Sequence, residues 1–104
     1  MFIVADSNNS CLKIFNSSGK FLRKIGGKGN ADGHFLTPYG VCVDQHGNIF
    51  VSDKESGHVQ QFTIEGHFTG KTVTKLTWPW GMATMPDGRI LVCDYEAGKV
   101  LFFK

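Results

Sequence analysis

PYGVCVDQHGNIFVSDKESGHVQQFTIEG, residues 38–66, decides how the whole chain is read, because it recurs on both sides of itself. Downstream, PWGMATMPDGRILVCDYEAGKVLFFK begins at Pro79, and Pro38 to Asp53 spans the same fifteen residues as Pro79 to Asp94. Upstream, FIVADSNNSCLKIFNSSGKF supplies the second half alone: Asp6 to Phe15 is nine residues, as are Asp53 to Phe62 and Asp94 to Phe103. Val-x-Asp triplets start at Val4, Val51 and Val92, so the period is 47 residues and then 41. A repeat of about 40–45 residues with strand-like content indicates propeller blades.

Within each unit, short runs of β-branched and aromatic residues alternate with clusters of Gly, Asn, Ser and Asp. Strands are expected at 2–6, 12–16 and 21–25, then at 40–44, 48–53, 58–64 and 68–73, and last at 81–85, 89–94 and 99–103. The short connections predict antiparallel meanders of three, four and three strands. With the strands of a full unit lettered a to d, the chain enters at strand b of one unit and stops after strand c of the third. The expected fold is therefore all-β: a propeller fragment of about two and a half blades, each a four-stranded antiparallel meander when complete. It divides into residues 1–27 (strands b–d), 38–75, and 79–104 (strands a–c). Propellers close with about four to eight blades, so the expected domain is larger than these 104 residues. No window sustains a 3.6-residue apolar period, so no helix is predicted. Strand a is apolar on nearly every side chain, as expected of an inner strand enclosed by neighbours. Phe50, Val51, Phe62, Val92 and Phe103 are expected to pack between blades.

The net charge of +2 is unevenly spread. Residues 1–30 carry Lys13, Lys20, Arg23, Lys24 and Lys28 against Asp6, or +4, and the remainder carries −2. The basic stretch 1–30 suits either an anionic partner or a solvated edge. Cys11, Cys42 and Cys93 are odd in number and form no CxxC pair, which points to reduced thiols in a cytoplasmic protein; an extracellular chain with free thiols is the alternative. No apolar run reaches the ~18 residues of a membrane span. The four histidines show no HxH or HExxH spacing, and Cys42 and Cys93 sit within apolar strands as buried thiols would. No metal site, cofactor or catalytic constellation is expected. Asp6, Asp53 and Asp94 each end a strand before a turn, where a carboxylate accepts bonds from the next backbone amides.

The functional signal is topological. In a four-stranded meander the d–a and b–c connections lie at one end, and the a–b and c–d turns at the other. The first end collects the glycine-rich stretch 26–33 with Lys28, then His34, Tyr39 and Trp80 after their prolines, Lys54, Tyr95 and Lys99. Aromatic and basic groups on a rigid scaffold's loops suit stacking on bases or anchoring a protein. Packing between blades is the alternative role for Tyr39 and Trp80. The binding candidates are Lys28, Tyr39, Lys54, Trp80, Tyr95 and Lys99.

Pro38-Tyr-Gly-Val-Cys-Val-Asp44, Gly47-Asn-Ile-Phe-Val-Ser-Asp53, Val59-Gln-Gln-Phe62 and Gly66-His-Phe68 resemble the NHL repeat, with a departure at Met85, where the pattern has Asp. The chain looks most like the C-terminal NHL domains of the tripartite-motif ubiquitin ligases. The resemblance implies a six-bladed propeller that binds protein or single-stranded RNA, with ligase activity in an upstream domain and none in this fragment. Family RNA contacts lie at the end carrying the b–c and d–a loops. The rival class is a propeller enzyme, a metal-dependent lyase or lactonase, with its active site in blades outside this sequence. The exposed edges of an incomplete ring imply that the remaining blades of the chain, or self-association, cover them.

Overall fold

In chain order the strands are β1 (Phe2–Asp6), β2 (Cys11–Phe15), β3 (Phe21–Ile25), β4 (Pro38–Val43), β5 (Ile49–Asp53), β6 (His58–Phe62), β7 (Phe68–Val73), β8 (Pro79–Thr84), β9 (Ile90–Asp94) and β10 (Lys99–Phe103). This computed structural model describes residues 1–73, 76, 77, 79–94 and 97–103, without the side chains at 71, 73, 80, 99 and 101–103. The strands form three antiparallel meanders, β1-β2-β3, β4-β5-β6-β7 and β8-β9-β10. Each strand pairs with its neighbour in sequence because no connection within a sheet is long enough for a crossover.

The inner strands begin earlier than the sequence suggests. Pro38 is opposite Asp53 and Val41 opposite Val51, so β4 uses three steps where β5 uses two. The same slip separates Pro79 and Met82 in β8. Each is a β-bulge, which leaves one residue unpaired and re-aims its side chain. A proline is tolerated at Pro38 and Pro79 because the first position of a strand needs no N–H for the ladder.

Two apolar layers hold the sheets together. Leu12, Ile14 and Ile25 of the first sheet meet Ile49, Val51 and Phe62 of the second, with Phe35 between them. Phe50 and Val59, on the opposite face of the second sheet, meet Ile90 and Val92 of the third. Phe50, Val51, Phe62 and Val92 thus pack between blades as expected; the side chain of Phe103 lies outside the described residues.

Three expectations are corrected. Strand β4 is only half-buried, and Val43 is exposed, because β4 is the free inner edge of its sheet. Cys93 is exposed rather than buried, because it faces away from the second sheet. The Ser7–Asn9 segment, which lies between the strands expected at 2–6 and 12–16 where no helix is predicted, is one turn of 3-10 helix. It is closed by Ser10 in the left-handed region, at φ 54°.

One turn design serves the a–b and c–d end throughout. Asn16–Lys20, Asp44–Asn48, Thr63–His67 and Met85–Arg89 each close with two backbone bonds, the second running from a glycine N–H to the first residue's carbonyl. The glycine, Gly47 at φ +84° for example, occupies a region that side chains with a Cβ rarely adopt. Asp44 secures its turn through Oδ1, which accepts from the His46 and Asn48 amides at 2.9 Å. Met85 has no such side chain; there Asp87 Oδ1 accepts from the Arg89 amide at 3.1 Å.

Candidate binding surface

The opposite end is built from longer and more varied segments. Residues 26–35 fold into a closed arch. The Gly29 N–H donates to the Phe35 carbonyl at 2.9 Å, the Phe35 N–H to Gly27 at 2.8 Å, and the His34 N–H to Ala31 at 3.0 Å. Phe35 is the foot of the arch, fully buried, with its ring 5.5 Å from that of Phe62. Gly26 has to be glycine: its φ is +79°, and a Cβ there would run into the Phe35 ring. Lys28, Asn30, Asp32 and His34 stand exposed along the crest.

Asp53 ties the arch's exit to the b–c turn of the same sheet. Its buried carboxylate accepts from Leu36 at 2.7 Å and Thr37 at 3.0 Å, and from Glu55 and Ser56 at 3.2 Å. The turn amides were expected from sequence; the two amides just before β4 were not. Asp94 repeats the arrangement, accepting from the Thr77 N–H at 3.0 Å. Asp6 differs: it accepts from the Asn9 side-chain amide at 2.8 Å and pairs with Lys13 at 2.9 Å. Those two partners, Asn9 first, hold its carboxyl below the usual range. Neighbouring blades are also stitched together here, since Ser7 Oγ donates to the Pro38 carbonyl at 2.6 Å and Ser10 Oγ to Leu36 at 2.8 Å. Between the second and third sheets, the Leu76 N–H donates to Gly57 at 3.2 Å.

Tyr39 occupies the β4 bulge, exposed, with Lys54 Nζ 5.4 Å from its ring centroid, within cation–π range. Buried Ser52 steadies the bulge by accepting from the Gly40 N–H at 2.9 Å. Beside this pair is a hollow of about 370 Å³ lined by Thr37, Lys54, Glu55 and Thr77. The Thr37 hydroxyl donates to Glu55 Oε2 across it. Of the six binding candidates, the structure brings Tyr39 and Lys54 together and sets Lys28 on the arch. Trp80 falls at the β8 bulge and Lys99 opposite Asp94, but their side chains lie outside the described residues, as does Tyr95 altogether. Gln60 went unrecognised in the sequence: it is buried in β6 and bonded to the arch. Its signal was a polar residue between Val59 and Phe62 in an otherwise core-forming strand.

Charge at this end is mixed, Lys28 and Lys54 being offset among the described residues by Asp32 and Glu55. Cys42 is no nucleophile, since burial, and then the Asp44 charge, push its thiol up to about 11. Among the described residues no three His, Cys, Asp or Glu side chains gather as a metal would require, and no helix is long and apolar enough to cross a membrane.

Comparison with known proteins agrees with this architecture. The profile of the DUF5128 family, described as a 6-bladed beta-propeller, matches residues 1–104. Mouse E3 ubiquitin-protein ligase TRIM32 is 31% identical over 112 residues, covering 97% of this chain and 17% of the ligase. Drosophila melanogaster protein brain tumor is 34% identical over 104 residues, covering 97% of this chain and 10% of that protein. The chain therefore spans less than a fifth of either relative. Among solved structures, a putative exported protein of Bacteroides fragilis superposes with a TM-score of 0.74 at 26% identity, covering 86% of this chain and 26% of the other. Repeat, blade packing and relatives together place the chain in the six-bladed β-propeller family, as an NHL-repeat segment of the kind found in the tripartite-motif ligases.

Proposed function

We propose that this chain forms part of a recognition module whose d–a and b–c end takes up a segment of another protein. Tyr39 carries the reading: a bulge turns an aromatic ring outward, Lys54 sits over it, and a polar hollow opens alongside. Rigid aromatic and cationic anchors of this kind dominate protein interfaces. The mixed charge favours a protein segment over single-stranded RNA, whose affinity rests on neutralising phosphates. In this reading Lys28, Trp80, Tyr95 and Lys99 extend the surface. The blades divide as residues 1–27, 38–75 and 79–104, with the exposed sheet faces covered by further blades or by a second copy. In this reading the propeller selects a substrate in the cytoplasm and ligase chemistry resides elsewhere in a longer polypeptide; the mouse and human relatives named E3 ubiquitin-protein ligase TRIM32 support the ligase part of it.

The test is a random-peptide selection against the intact protein, followed by titration of the best peptide and of a random-sequence single-stranded RNA 20-mer. Tyr39→Ala should weaken the peptide by about 2 kcal/mol, roughly thirtyfold. Lys54→Glu should weaken it too. RNA bound more tightly than any peptide, with affinity falling steeply as salt rises, would replace the protein reading with a nucleic-acid one.

A further inference from the structure

Gln60 sits in the middle of β6 with 1% of its surface exposed. Both ends of its side-chain amide are used, and both reach the arch. Oε1 accepts from the Gly33 N–H at 2.7 Å, and Nε2 donates to the His34 carbonyl at 2.8 Å. The equivalent position in the first sheet is Lys13, opposite Val4 as Gln60 is opposite Val51, and Lys13 pairs with Asp6 instead. The clamp is therefore a device of the second sheet and not a requirement of the repeat.

We infer that Gln60 is a positioning residue for the binding surface: from beneath, it fixes the height and tilt of the crest that carries Lys28 and His34. The internal bonds of the arch close it into a loop, and Phe35 anchors its foot. Neither fixes how the crest leans over the sheet. Gln60 does, because its donor and acceptor engage adjacent residues from opposite ends of one rigid amide. A crest held in one pose meets a partner without an ordering cost, so affinity depends on a side chain the partner never touches. The surface presented is polar and of mixed charge, fitted to a hydrogen-bonding protein segment. This step rests on the protein-binding reading above.

The experiment compares Gln60→Leu and Gln60→Glu with the parent in the intact protein. Amide hydrogen exchange is read at Gly33, His34 and Phe35, with Val51 and Phe62 as internal references, alongside the affinity of the peptide selected against the parent. Leu leaves the Gly33 N–H and the His34 carbonyl without partners, so exchange across the arch should rise at least tenfold while the references hold. Peptide affinity should fall at least tenfold. Glu still accepts from Gly33 but cannot donate to His34, so Gly33 should regain protection and affinity should recover in part. If Gln60→Leu unfolds the protein, Gln60→Asn, too short to span both groups, is judged by the same amides. Unchanged exchange in the arch would overturn the clamp. A loosened arch with unchanged affinity would show that Gln60 positions nothing the partner uses. If no peptide binds even the parent, the functional reading fails, and exchange alone decides whether the clamp exists.

Discussion

Phe2, Val4, Phe15 and Phe21 occupy one face of the first sheet at the positions that Ile49, Val51, Phe62 and Phe68 hold in the second, 47 residues on. Phe2, Val4 and Phe21 are 57%, 47% and 50% exposed, whereas Ile49, Val51 and Phe62 are at 0%, 1% and 2%. The third sheet shows the reverse on its far face, where Val100 is 54% exposed and its counterpart Val59 only 4%. The same pattern is therefore core in one place and surface in another, and what differs is the neighbouring sheet. A blade's sequence encodes two interfaces, and its own strands satisfy neither. Large exposed apolar faces of this sort promote association, and a repeat array loses stability where a neighbour is absent.

Truncation measures the contrast most strongly. Phe62→Ala should cost about 3–5 kcal/mol in denaturant unfolding, and Phe2→Ala no more than about 0.5 kcal/mol. Equal losses would mean that a further sheet or a second copy covers Phe2 in the working protein.

The thiols give a chemical version. Cys42, with a pKa of about 11, carries about one thiolate in a thousand at pH 8. Cys93, exposed where Cys42 is half-buried, should therefore be alkylated faster than Cys42. Comparable slow rates at both would show that the far face of the third sheet is covered.

The aspartates extend the comparison to hydrogen bonding. Asp53→Ala removes the buried acceptor of four part-buried amides and should cost about 1–3 kcal/mol. Asp6→Ala, which removes only an exposed bond from Asn9 and a half-exposed pair with Lys13, should leave the unfolding midpoint close to the parent's. A loss of peptide binding in Asp53→Ala at unchanged stability would reverse the structural role assigned to it.

The smallest effect concerns the a–b turns. Burial pushes the Asp44 carboxyl up, but bonds from the Asn48 side chain and from the Asn48 and His46 amides outweigh it and hold the group below its ordinary value. Its stabilisation is therefore complete above the unfolded carboxylate value of about 3.8 and is lost as pH falls through the lower folded value. Asp44→Asn should flatten that acid limb of the stability profile, whereas Met85→Leu in the matching turn should leave it unchanged. An identical acid limb in Asp44→Asn and the parent would remove Asp44 from the account.

Much of this was legible in the chain. Alternating apolar residues and the turn glycines located all ten strands, because both act over a few neighbouring residues. The beginnings of β4 and β8 were not legible, since a bulge is settled by the partner strand and not by local preference. Asp53 was readable as a turn cap through Glu55 and Ser56, but its bonds to Leu36 and Thr37 join residues 16 and 17 positions apart. That Lys28, Tyr39 and Lys54 share one end of the sheets was legible from topology, which says which end a loop occupies. The Gln60 clamp escaped because a glutamine in a strand looks the same whether it faces water, as its neighbour Gln61 could, or a buried loop. Cys93 was misjudged for a related reason: an apolar strand reads as buried whether or not the next sheet is there.

Phe35 has a consequence for how the molecule comes apart. It belongs to a connection, yet it fills the layer between the first and second sheets, touching neither as a member of its strands. Those sheets cannot close on each other while the arch is open, because its foot is missing from the seam; the arch cannot open without withdrawing that foot. Loop opening and separation of the two blades are then one kinetic event. Probes at Phe35 and elsewhere in the seam should relax with the same rate constant, while crest motions that leave Phe35 seated lie outside that event.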